Sequence, residues 1–489
     1  MACHTVRMAS SRLSGPALAA LLPELDGPGA APGPLYAALA TAIARLVVDG
    51  RVAVATRLPS ERDLAAALGR SRATVTGAYD QLRADGFVDS RTGAGSFVTV
   101  PAGSRPRTQL GWQTAPRPDD TIDLSMAMFP AAPPQVRTAA LAAAGDELGT
   151  QLHDVGYDPA GLPELRAAVA ARFTRRGVPT DPDQILVTGG ALHALDLVLR
   201  LLVAPGDRVV TEIPNYPGAI AAIDNGGGRV TPAPITADGG WHTEQLESLL
   251  RHVSPRLAYL TPDFHNPSGG LVGAAERRTV LAAARRAGTT VVVDETFVEL
   301  GFCPPAPPMA ALDPAVVTLG SLSKAVWGGL RIGWIRAGAD LIGRLAALRT
   351  VTDIGGPILE QLIAVRLLDQ LDDITALRVT ELRAQCDALR AALTDQLPGW
   401  RTRAPQGGLS LWVELDAPLS TPLTALAERA GVILVPGARF GVDGTFERFL
   451  RLPYTWPAER LTEAVSRIAA VWRELGAAPS GRASRLVVA

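Results

Sequence analysis

Gly320-Ser321-Leu322-Ser323-Lys324-Ala325-Val326-Trp327-Gly328-Gly329-Leu330-Arg331-Ile332-Gly333 holds the single lysine of this 489-residue chain; all other members of its set of 47 lysines and arginines are arginine. Arginine has replaced lysine wherever a positive charge or a solvated stem suffices. At 324 an amine remains, and an amine can do what guanidinium cannot. It can lose its proton, act as a nucleophile and form a Schiff base. Ser321, Ser323, Gly328, Gly329 and Arg331 crowd the same stretch and suit a bound phosphate.

Outward from this lysine, the chain from Ile122 alternates short apolar strands with amphipathic helices. That alternation predicts an α/β fold with a mainly parallel sheet. Ile185–Thr188 reads as a strand, Gly189-Gly190 as a tight turn and Ala191–Leu202 as a helix. Unpaired amides and the helix dipole make such a helix start a phosphate site, although Gly-Gly before a helix is common. The G-x-G-x-x-G pattern of dinucleotide binding is absent here. Val291-Val292-Val293 is a buried-strand run ending in Asp294. A carboxylate there lies where open α/β sheets bind ligands, and it can keep a heterocycle's ring nitrogen protonated; it can also simply cap a turn. Asn266 follows the strand Leu257–Leu260 in Thr261-Pro262-Asp263-Phe264-His265-Asn266-Pro267-Ser268-Gly269, placed to meet a ligand oxygen or to cap its turn.

Composition limits the alternatives. A formal net charge of −1 and 47% apolar residues describe a chain with real cores and no general basic coat, so any nucleic-acid site must be local. Cys3, Cys303 and Cys386 form neither a disulfide framework nor a metal cluster. With no apolar run of eighteen residues and no convincing signal sequence, a cytoplasmic protein without membrane contact or metal is expected.

The first hundred residues have a different grammar. Residues 1–34, rich in Ala, Gly, Pro and Ser, read as a loose leader. A helix fits Leu35–Asp49. Ser60, with Asp63 three residues on, caps a second helix that ends near Leu68-Gly69; Ser71 caps a third whose apolar face is Val75, Ala78, Tyr79 and Leu82. Short β-like pieces follow at Phe87-Val88 and Ser96–Val100. This is the order of a winged helix-turn-helix. Across residues 35–107 there are ten arginines against six Asp plus Glu, a surplus of four in a chain that is otherwise acidic. Residues 101–121 read as a Pro-rich linker.

On Leu58-Pro59-Ser60-Glu61-Arg62, Ser71-Arg72-Ala73-Thr74-Val75, Ala78-Tyr79 and Gly86-Phe87-Val88, residues 35–100 resemble the DNA-binding module of the GntR family. The resemblance implies that Arg62, Ser71, Arg72 and Thr74 meet double-stranded operator DNA, with Gly93 and Gly95 at the wing tip.

The ordered set of phosphate turn, Asn-Pro, strand-end Asp, Ser-x-Ser-Lys and late Arg makes residues 122–476 similar to a fold type I aminotransferase that uses pyridoxal 5′-phosphate. It implies a small C-terminal α/β subdomain from about residue 375 and a tail at 477–489. It also implies Lys324 as the cofactor lysine, Asp294 as partner of the ring nitrogen and Asn266 as contact to the ring hydroxyl. Gly190, Ala191, Ser321 and Arg331 would hold the phosphate, and Tyr216 would stack on the ring. Tyr157 would reach the site of the partner subunit, and Arg451 would pair with a substrate carboxylate. Three positions depart from the pattern. Phe297 stands where a tyrosine is usual, and Trp327-Gly328-Gly329 replaces a usual Pro-Gly. Gly218 stands where the gamma-aminobutyrate-responsive member has an arginine, which removes a second carboxylate anchor.

Both halves together resemble MocR-type transcriptional regulators. That architecture implies a homodimer exchanging domains head to tail, with pyridoxal phosphate or an amine or amino acid as effector. A working aminotransferase with a secondary DNA module and a ligand-free dimerisation scaffold are the other readings of the same chain.

Overall fold

A computed structural model of the chain describes residues 13–22, 34–48, 52, 57–91, 95–99, 120–131, 133–236, 238–442 and 445–477. Residues 101–119 of the expected linker at 101–121, most of the leader and tail, and Gly93 lie outside these residues.

The N-terminal module is built by its caps. Helices α1 (Gly15–Leu21), α2 (Leu35–Val48), α3 (Glu61–Leu68) and α4 (Arg72–Ala84) precede an antiparallel hairpin of β1 (Val88–Arg91) and β2 (Gly95–Val98). Ser60 Oγ accepts the Asp63 N–H at 3.1 Å, and Ser71 Oγ accepts the Thr74 N–H at 3.1 Å. Gly69 closes α3 in the left-handed region at φ 63°, a conformation that costs glycine nothing. Leu39 and Ile43 of α2 meet Val75, Tyr79 and Leu82 of α4 in one core.

Two expectations are corrected here. Residues 13–22 do not form a loose leader: Leu18 of α1 is fully buried in that core, and Gly15 lies so close to α3 that a Cβ would sit 2.5 Å from the Asp63 carbonyl oxygen. The small-residue composition that suggested a leader instead permits this approach. The wing strands are also shifted, because Phe87 is still part of the α4 terminus, its N–H donating to Leu82 O at 2.8 Å.

After β3 (Ile122–Asp123) the large domain assembles β4 (Ile185–Thr188), β5 (Arg208–Ile213), β6 (Arg229–Pro234), β7 (Leu257–Leu260), β8 (Thr290–Asp294), β9 (Val317–Ser321) and β10 (Gly333–Arg336). Their order is β4-β10-β9-β8-β7-β5-β6, and only β10 runs antiparallel to its neighbours. Apolar clusters cover both faces, which is why β4, β7 and β9 are buried at every position. This topology brings the C-terminal ends of β4, β5, β7, β8 and β9 and the start of β10 to one sheet edge.

The small subdomain carries β11 (Arg401–Thr402), β12 (Ser410–Glu414), β13 (Val432–Ile433), β14 (Val435–Pro436) and β15 (Phe449–Pro453). Four of them form an antiparallel sheet in the order β11-β12-β15-β14. β13 instead pairs in parallel with β3, and Ile122, Leu124 and Phe129 are buried with Leu382, Leu389 and Val465. The subdomain therefore includes the chain's entry at Ile122 as well as its C-terminal part. A two-residue strand has no periodicity to announce it. Among the described residues, no helix is long and apolar enough to cross a membrane.

Candidate functional site

Lys324 follows β9, half-buried at the shared sheet edge, and its Nζ donates to the Ala127 carbonyl at 3.0 Å. Enclosure pushes its pKa down to about 8; Arg451 and Arg331 push the same way, while Asp294 opposes them. The amine is thus deprotonated over a much larger share of the neutral range than a solvated lysine.

Asp294, at the end of β8, accepts the Tyr259 hydroxyl at 2.6 Å on Oδ2 and the Thr296 N–H at 2.9 Å on Oδ1. Two donors hold this carboxylate in one orientation. Tyr259 was not legible as a site residue, since an aromatic in the strand Leu257–Leu260 reads as core.

The turn at Gly189-Gly190 leads into the helix Ala191–Leu202, which has no side-chain cap. Gly190 has φ 100°, and a Cβ there would lie 2.8 Å from Arg331 Nη2. Arg331, itself left-handed at φ 54°, donates to the Gly189 carbonyl. His193 Nδ1 accepts the Gly189 N–H at 3.0 Å and its Nε2 lies 3.5 Å from Asp353, a brace for the turn that sequence reasoning missed. Ser321 is turned inward: its hydroxyl lies 2.9 Å from Ile332 O and 2.9 Å from Ser323 Oγ, and it accepts the Ser323 N–H at 3.1 Å.

Tyr216, after β5, has Arg451, Asp294 and Arg331 as its charged surroundings. A Cβ on Gly218 would strike its ring at 2.5 Å, so the ring's placement itself demands glycine at 218. Asn266 Oδ1 is buried and has no hydrogen-bond partner among the described residues. Arg451, on β15, lies over the Phe440 ring with its carbon 5.2 Å from the centroid, and it donates to Ser125 O while its Nε finds no partner among the described residues. Burial pushes its pKa down to about 10. A buried cation with no ion pair closed on it among the described residues is costly, and a ligand carboxylate removes that cost. Phe297 is buried with its ring centroid 5.9 Å from Lys324 Nζ, offering no hydroxyl. Tyr157 stands apart from this group and is 71% exposed.

These features fit pyridoxal 5′-phosphate. An orphaned amide oxygen at Asn266 faces a need for a ring hydroxyl, an uncapped helix start beside Arg331 suits a phosphate, and Asp294 is fixed beside an unusually acidic amine.

In the N-terminal module, Arg62 is exposed and Arg72 opens α4 with its side chain 73% exposed, Nε 3.5 Å from Glu61. The Ser71 and Thr74 hydroxyls lie 2.9 Å apart, both at the exposed start of α4. Gly95 has φ 106°, and a Cβ on it would lie 2.7 Å from Arg57 Nε, so glycine lets an arginine pack against the wing.

Residues 120–468 match the family described as aminotransferase class I and II, and residues 35–98 match the gntR family of bacterial regulatory proteins. The chain is similar to the HTH-type transcriptional regulator TauR of Rhodobacter capsulatus, 31% identical over 87% of this chain and 94% of that one. It is similar to the 2-aminoadipate transaminase of Thermus thermophilus, 33% identical over 64% of this chain and 80% of that one. Among solved structures, the alpha-aminoadipate aminotransferase LysN of Thermus thermophilus, complexed with N-(5′-phosphopyridoxyl)-L-leucine, superposes with a TM-score of 0.68 at 29% identity. That match covers 73% of this chain and 94% of the other.

Proposed function

Because the chain belongs to the aminotransferase class I and II family and carries a gntR-family module ahead of it, the architecture of MocR-type regulators, we propose that it is a DNA-binding transcriptional regulator that senses pyridoxal 5′-phosphate, or an amine or amino acid that reacts with it. The observation that carries the reading is the coexistence of both halves in working order. Lys324, Asp294, Arg331 and Arg451 share one site, and the two capped helices of the N-terminal module present exposed arginines.

When bound, pyridoxal phosphate supplies a carbonyl that captures primary amines. The chain's own residues then divide the work. Lys324 holds the cofactor covalently, and Asp294, steadied by Tyr259, keeps a proton on its ring nitrogen. Asn266 meets the ring hydroxyl, and Tyr216 covers the ring. Ala191, Gly190 and Arg331 take the phosphate, with Ser321 bracing the loop from within. Arg451 takes an incoming carboxylate. Arg62, Ser71, Arg72 and Thr74, with the wing at Gly95, lie against operator DNA in the cytoplasm.

The chain acts as a homodimer with head-to-tail exchange. Tyr157 together with Leu152 at 72%, Val155 at 79% and Val351 at 84% exposure offers apolar surface that a second copy would cover. Tyr157 then completes the partner's site. Relatives such as TauR match across both halves, which favours the regulator over a working aminotransferase with a secondary DNA module.

The test is an operator titration at fixed salt with apo protein, with pyridoxal phosphate, and with cofactor plus candidate amines. A coupling of about 1–3 kcal/mol should change operator affinity roughly 5- to 150-fold. Affinity indifferent to cofactor and amine, beside rapid transamination, would decide for the enzyme.

A further inference from the structure

Glu212 lies near the end of β5 with 1% of its surface exposed. Its Oε1 accepts the Thr261 N–H at 2.8 Å and Trp241 Nε1 at 2.9 Å, and its Oε2 accepts from Asn215 Nδ2 at 3.4 Å. The three donors come from three separate segments. Asn215 directly precedes Tyr216 and accepts its N–H on Oδ1 at 2.6 Å. Thr261 opens the loop that leads to Asn266. Trp241 closes a segment whose Gly239 packs on that same loop so tightly that a Cβ would sit 2.4 Å from Ser268 Oγ.

A buried carboxylate with three N–H donors is stabilised in its ionised form, but only while all three segments stay in place. The dependence is mutual, since each segment loses its acceptor if the carboxylate is lost. We propose that Glu212 is the positioning residue that fixes the Tyr216 turn and the Asn266 loop at the separation the pyridoxal ring requires. The proposal rests on the assignment of Tyr216 and Asn266 to the cofactor and extends it to a residue that touches neither ligand nor lysine.

The arrangement also makes the site responsive to pH. Burial is the main cause raising Glu212, the Thr261 and Trp241 donors oppose it, and Asp294 adds to the rise, leaving it at about 7. Among the described residues, Tyr259, held on Asp294, is the other titratable group facing it. Because the shift is upward from the ordinary carboxyl range, the ionised form is complete only above about 7. Below that, a proton turns one acceptor into a donor among donors, and the two cofactor segments loosen.

The experiment is an equilibrium titration of the full-length protein with pyridoxal phosphate, read by its visible band, across the neutral pH range. Wild-type affinity should fall about tenfold for each unit below the Glu212 midpoint. Glu212→Gln should bind roughly tenfold more weakly at high pH and lack this limb. Trp241→Phe keeps an aromatic ring but removes one donor, so its midpoint should move to higher pH. The change near Lys324's own pKa remains in all three proteins as a common background. Wild-type affinity and an unchanged limb in Glu212→Gln would overturn the proposal. If that variant does not fold, an unmoved midpoint in Trp241→Phe overturns it instead. No binding by the wild-type chain overturns the cofactor-site reading on which this one rests.

Discussion

The N-terminal module and the cofactor site solve opposite problems. The module keeps its working groups in water: Arg62 and Arg72 are exposed, and the residues that shape them, Ser60 and Ser71, cap helices within three residues of themselves. The cofactor site takes Arg451 out of water and encloses Lys324. Lys324 and Arg331 come from the one stretch between β9 and β10, and Asp294 and Arg451 from two distant segments, brought together by the sheet edge and by the small subdomain's β15. Exposed charges act on a polyanion whose own counterions are displaced, so each contributes modestly and salt weakens all of them. Enclosed groups are few and individually decisive, and burial pushes Lys324 and Arg451 down. Changes in the two regions should therefore differ in size.

The largest effect is expected at Lys324. Lys324→Ala should lose all borohydride-fixable cofactor, because no other lysine exists to replace it. In the wild type, the rate of covalent capture should rise with pH and level off above about 8, since the downward shift means the neutral amine accumulates from that point. Peptide mapping that finds the fixed cofactor on another residue would break the contrast, because the enclosed site would then be dispensable.

A smaller, graded effect is expected at Arg72. Arg72→Ala should weaken specific operator binding by about 1–3 kcal/mol if it reads a base edge. Glu61 already lies 3.5 Å from its Nε, and the same carboxylate accepts the Thr76 hydroxyl at 2.8 Å, so this arginine exchanges one partner for another on binding DNA. The visible spectrum of bound cofactor should not change. Undiminished affinity at matched salt would remove α4 from the DNA interface.

The same contrast explains what the sequence made legible. Helix caps, turn glycines and buried parallel strands are written locally, so α3, α4, β4, β7 and β8 were readable almost to the residue. The fold class followed from the alternation of strands and helices. Partners brought in from far along the chain were not readable. Tyr259 was hidden among core aromatics, Glu212 among strand residues, and Ala127 contributes only a carbonyl that every residue possesses. Leu18 was hidden for a different reason, because composition that suits a loose leader also suits a helix pressed against α3. The lysine was visible only because arginine had displaced every other one.

The smallest expected effect is at Phe297, and it separates sensing from turnover within the enclosed site. Its ring is buried against the small subdomain's core and faces Lys324 Nζ at 5.9 Å without offering a hydrogen bond. A hydroxyl added there can contribute one bond, worth about 0.5–1.5 kcal/mol net and hence at most roughly tenfold in rate. Crowding in the core subtracts from that gain. Phe297→Tyr should leave operator binding unchanged, alter cofactor affinity by no more than this amount, and raise slow transamination of a reactive amino acid by a few-fold. Both proteins would be assayed for turnover and operator binding on the same preparation. A variant that gains turnover while keeping its response to cofactor on DNA would show that the site tolerates catalysis but is not organised for it. A wild-type protein already turning over at ordinary aminotransferase rates, and unimproved by the hydroxyl, would place the specialisation elsewhere and erase the distinction between an enclosed sensor and an enclosed catalyst.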